Sequence, residues 1–180
     1  MTNTLILSED TLKTFSSLNN NIFGKTIAPA IVIAQDIYLQ GIIGTNLYRK
    51  LLASIDDGSI EGKNNIHYKY LIYTYIIPFL IYQTQSILIE EIAAKVTNIG
   101  VVHTSDERIE NLPQSERELL ASKYQNYANF HTGLLQNYLL DNRSNFPELS
   151  DNDCSMIKAN LHSSTMTGLW LGGYYGKKIN

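Results

Sequence analysis

Apolar residues recur along the chain at helical spacing, and polar or glycine-marked interruptions cut the pattern into segments. Ser8, Glu9, Asp10 and Thr11 predict a short helix with Ser8 as its N-cap and acidic residues in its first turn, ended by Asn19, Asn20 and Asn21. A second helix is expected from about Thr26, with Pro29 in its first turn and Ile31, Ile33, Ala34 and Ile37 running towards Gly41. After Gly44, Thr45 and Asn46, residues 47–55 predict a third helix with Leu47, Leu51 and Leu52 on one face. Residues 56–59 read as a turn and 62–65 as a polar loop.

The segment 67–97 contains no glycine and a single proline, and predicts a helix of ~45 Å. Its first half is apolar on all sides, the mark of a fully enclosed helix. Its second half sets Ile87, Ile89, Ile92, Ala93 and Val96 against Gln85, Glu90, Glu91 and Lys95. Pro78 removes a backbone donor inside this run, so a bend or restart is expected within a turn of it. Gly100 supplies the stop.

Residues 101–113 then read as an irregular arm, longer than the usual link between helices. Ser115 with Glu118 has the form of a capping box. The helix it opens is expected to end near Asp141 and Asn142, with Leu120, Tyr124, Tyr127, His131, Leu134 and Tyr138 as its inward stripe. Pro147, Glu148 and Leu149 close the compact part. The pattern as a whole predicts a mainly α fold: a helical bundle over 1–149 with two long helices, an irregular arm between them, and an extended C-terminal tail over 150–180.

Composition adds to this picture. At 44% hydrophobic and 17% charged the 180-residue chain has a globular make-up and room for one core. Twelve tyrosines lean it towards interfaces, because the ring is apolar and its tip is polar. A net charge of −3 without any basic run argues against a nucleic-acid binder. Cys154 is the single cysteine and has no internal disulfide partner. The start of the chain lacks the pattern of a signal peptide. The apolar run 70–82 is about 13 residues against the ~20 needed to cross a bilayer. Hence no membrane is expected as a partner.

Candidate chemistry is sparse. His67, His103, His131 and His162 are far apart, with no paired cysteines, so no metal or cofactor is expected. Glu90 and Glu91 point about 100° apart on a helix and read as a solvated face rather than an acid–base pair. Gly172, Gly176 and Lys177 lack the first glycine of a phosphate loop, which would fall at Leu171. No catalytic residue is assigned, and an enzyme is not expected. The candidates are interface residues instead: Val101, Val102 and His103 in the arm, and Leu169, Trp170, Leu171, Tyr174 and Tyr175 in the tail, where no local core uses them.

Several pieces, in order, carry a resemblance: Gly44-Thr45-Asn46-Leu47-Tyr48-Arg49-Lys50-Leu51-Leu52, Ile77-Pro78-Phe79-Leu80-Ile81-Tyr82-Gln83, and Lys95-Val96-Thr97-Asn98-Ile99-Gly100-Val101-Val102. Ser122-Lys123-Tyr124-Gln125-Asn126-Tyr127-Ala128 and Asn145-Phe146-Pro147-Glu148-Leu149 complete it. Over roughly residues 40 to 150 the chain resembles the head–tail connector proteins of crAss-like tailed bacteriophages. The resemblance implies a helical adaptor in a homo-oligomeric ring, commonly of twelve subunits, at the virion neck. It implies the portal protein and further neck or tail proteins as partners, and synthesis in the bacterial host cytoplasm. DNA would pass through the channel without specific binding, which suits an acidic chain. The competing expectation is a small helical scaffolding or regulatory module that binds one cellular protein.

Overall fold

The computed structural model describes residues 4–16, 24–97, 100–103, 113–150 and 157–161. It is mainly helical, and its centre is a pair of long helical stretches packed along each other. The first helix, α1 (Glu9–Phe15), opens as expected: the Ser8 hydroxyl accepts from the Thr11 N–H at 3.1 Å. Leu12 is its buried anchor.

The second, α2 (Gly24–Ile33), begins earlier than expected and carries Pro29 inside it rather than in the first turn. It runs on as a π-helical stretch (Ala34–Leu39) and then α3 (Gln40–Ile43). The wider π turn shifts the inward face by about one residue. Ala34, Gln35 and Leu39 are therefore buried, while Ile37, expected on the inward stripe, is exposed. Gln35 is accommodated because its side chain bonds the chain entering α1: Oε1 accepts from Ile6 N–H at 3.2 Å and Nε2 donates to the Thr4 carbonyl at 3.1 Å. Next, α4 (Thr45–Asp56) buries Leu47 and Leu51 as expected and Tyr48 besides, while Leu52 is half-buried.

Two 3-10 turns lead to α5 (Ile66–Leu71), a second π-helical stretch (Ile72–Ile76) and α6 (Ile77–Ala93). Near Pro78 the helix departs from the α pattern: it is π over Ile72–Ile76 and α again from Ile77, with Pro78 the second residue of α6. A π turn beside a proline lets the chain continue as a helix past the missing donor. Helical stretches spanning Thr26–Ile43 and Lys63–Glu91 are long and apolar enough to cross a bilayer by length and composition alone. Both contribute heavily to the core of the bundle, which gathers Ile27, Ile31, Leu71, Ile76, Phe79 and Leu88.

Three expectations fail beyond this point. The long helix stops at Ala93, not Thr97; β1 (Ala94–Thr97) instead pairs antiparallel with β2 (Gly100–His103), Thr97 opposite Gly100 and Ala94 opposite His103. The β-branched Val96, Thr97, Val101 and Val102 favour an extended ribbon over a helix end. The arm thus opens as a strand rather than irregularly, and 104–112 lie outside the described residues. The capping box also fails. The last helix, α7 (Gln114–Asp141), has Pro113 as its flanking residue, with no side-chain cap. An extended proline just outside starts the helix one residue early, and Ser115 falls inside the first turn.

Candidate assembly surface

The inner face of α7 differs from the expected stripe by one residue. Ala121, Ala128, Leu135, Gln136 and Leu139 are buried, whereas Tyr127 and Leu134 are exposed and His131, Tyr124 and Tyr138 lie half-buried at the flank. Small residues face α6 because the two helices approach closely. The Ser86 hydroxyl reaches the Ala121 carbonyl at 3.1 Å, and Gln83 and Gln125 exchange amide hydrogen bonds at 3.1 Å. Gln85, expected on a polar face, is buried with its amide turned back to the Ile81 carbonyl at 3.2 Å. Among the described residues, buried Thr84 Oγ1 stands out as having no hydrogen-bond partner.

The large rings sit on one edge of this contact. Tyr75 stacks on Tyr138 at 4.4 Å between centroids, and Tyr82 stacks on His131 at 5.3 Å. Burial lowers the His131 pKa from its ordinary value, so the neutral ring is the form that stacks. Phe146 caps the edge against Tyr68 and Tyr138. The Tyr68 hydroxyl donates to both oxygens of Glu148 at 3.0 Å, and burial together with that carboxylate pushes its pKa up to about 12. Several of the twelve tyrosines therefore line a contact inside the subunit.

A piece of the tail is docked on the body. The Thr45 N–H donates to the Ile157 carbonyl and the Asn160 N–H to the Ile42 carbonyl, both at 2.9 Å. Thr45 Oγ1 accepts from Ile157 N–H at 3.2 Å, and Gln136 of α7 donates to the Asn160 carbonyl at 2.7 Å. Gly44 makes this possible: its φ is +80°, and a Cβ there would lie 2.7 Å from the Ala159 nitrogen. Sequence reasoning saw Gly44 only as punctuation. The glycine was visible; the segment it admits was not.

The outer side of α7 is apolar as well. Leu119 is 73% exposed, Phe130 50% and Leu134 40%. On a helix of 3.6 residues per turn these three share a stripe roughly 170° around from the buried one, while Tyr127, 43% exposed, sits at its margin against Tyr82. Gly133 lies beside Phe130 and Leu134, and a Cβ there would meet nothing within 4 Å. A mid-helix glycine costs about 0.5–1 kcal/mol relative to alanine, and the subunit's own packing gives no reason for it.

Of the interface candidates, Val101, Val102 and His103 form β2, and their side chains are outside the described part. Leu169, Trp170, Leu171, Tyr174 and Tyr175 lie outside the described residues, as does His162. His67 and Glu90 are exposed and Glu91 half-buried. No group of three or more metal-binding side chains occurs among the described residues.

Fold and surface together define a helical bundle with a strapped-down segment of tail and an apolar outer face. Residues 39–158, two thirds of the chain, match a family model described as a family of unknown function, DUF6712, and the chain belongs to that family. No curated protein and no solved structure matches it.

Proposed function

We propose that this chain is a structural subunit of a bacteriophage virion, forming a homo-oligomeric ring at the neck between portal and tail. The observation that carries the reading is the outer apolar stripe of α7, which the subunit's own core does not cover. Contiguous exposed apolar surface marks a protein–protein contact. The resemblance to crAss-like head–tail connectors supports the specific setting. Four of its five pieces fall in the helical body: 44–52 opens α4, 77–83 starts α6, 122–128 lies in α7 and 145–149 closes the edge at Phe146, while 95–102 covers most of β1 and β2. The net charge of −3 suits a channel through which DNA slides.

A ring needs heterologous contacts, one surface of each subunit meeting a different surface of the next. The tail after the docked segment supplies the second surface. Deleting residues 166–180 is expected to leave far-UV circular dichroism nearly unchanged and to reduce the mass in solution from a ring to a single subunit. A truncated chain that still assembles contradicts the role of the tail. A full-length chain that remains a single subunit and retains one cellular protein favours the scaffolding or regulatory module instead.

A further inference from the structure

The described chain leaves the body next to α7. Asn160 is bonded to Gln136, and Trp170 follows ten residues later, at most about 36 Å of extended chain. That reach exceeds the ~10–12 Å width of a helix and is enough to leave one subunit for the next. The outer stripe has two features that match this segment. Phe130 and Leu134 flank the bare backbone at Gly133, an open notch with room for a large ring. About 25 Å along the helix towards its start, Glu116 is exposed on the same face. In the tail, Lys177 and Lys178 follow Trp170 by seven and eight residues, roughly 25 Å of extended chain. Apolar and charged groups are therefore spaced alike on both sides.

We propose that the outer stripe of α7 is the seat for residues 168–178 of a neighbouring copy of this chain, Trp170 lying over Gly133 and the Lys177–Lys178 pair meeting Glu116. The inference rests on the ring reading above and names the contact that closes it. It also accounts for Gly133: alanine there favours the helix but fills the notch.

Trp170 is the single tryptophan, so emission from the full chain reports the surroundings of that one side chain. The test compares wild type, the double variant Phe130→Ser/Leu134→Ser, Gly133→Ala, and Ile66→Ser as an exposed apolar control away from the stripe. Emission, particle mass and far-UV circular dichroism are read together. The double variant should shift Trp170 emission to the solvent-exposed wavelength and reduce the particle to single subunits. Ile66→Ser should do neither. Gly133→Ala should raise the denaturation midpoint of the subunit yet lower the assembled fraction several-fold, and this decides the matter if the double variant loses its helical signal. Unchanged emission and mass in Gly133→Ala and the double variant overturn the inference while leaving the ring intact. Emission that shifts at constant mass also overturns it, because the tail then sits on its own subunit. A wild-type chain that never assembles sinks the ring reading itself.

Discussion

Two adjacent leucines on α7 test the packing directly. Leu135 is fully buried, and Leu134, about 100° further round the helix, is 40% exposed. Leu135→Ala removes three buried carbons, about 2.4 kcal/mol at ~0.8 kcal/mol each, and leaves a cavity that brings the total to about 3 kcal/mol. For a chain of this size that corresponds to a fall of about 6–12 °C in the unfolding midpoint. Leu134→Ala gives up a partly solvated side chain and should cost about 0.5 kcal/mol. Both are read by thermal and urea unfolding at a dilution where mass measurement gives single subunits, so that loss of assembly does not enter. Equal shifts, or a larger one for Leu134→Ala, would refute the assignment of the inner face.

Three further outcomes follow from the same structure. Gly44→Ala meets both the left-handed backbone and the Ala159 nitrogen, and should cost about 1–3 kcal/mol while exposing residues 157–161 to protease; an unchanged cleavage pattern would contradict the docked segment. Thr84→Val keeps the shape and removes a buried hydroxyl without a partner, so stability should hold or rise by about 1 kcal/mol, and a clear fall in the urea midpoint would show that the hydroxyl is satisfied. His131 is held neutral by burial: the unfolded chain takes up its proton near pH 6.5 and the folded one only lower, so stability present above that pH is lost as pH falls. The wild-type midpoint should thus drop more steeply below pH ~6.5 than that of His131→Gln, and parallel pH profiles would remove the argument.

The helical class was legible because apolar residues repeat at helical spacing and few strand-like alternations compete. Local chemistry was legible where it is self-contained, as with Ser8 capping α1 and the departure from the α pattern beside Pro78. The errors share a cause: the neighbour, not the segment, decides. Leu134 and Tyr127 look more like core than Ala121 and Ala128, yet close helix contact selects the small residues. The π stretch at Ala34–Leu39 turns Ile37 outward, and no pattern in that segment announces it. Residues 94–97 read as helix until their β-branched partners in 100–103 are placed opposite them. The outer stripe escaped notice because α7 has apolar residues on two sides, and a single inward stripe was sought.

The central claim is that this chain builds a ring at the neck of a virion, and electron microscopy of intact particles tests it most directly. The account predicts a closed ring of this fold between portal and tail, with α7 of each subunit covered by chain from the next. Particles whose neck density is fully accounted for by other proteins, with this chain absent from them, would contradict it.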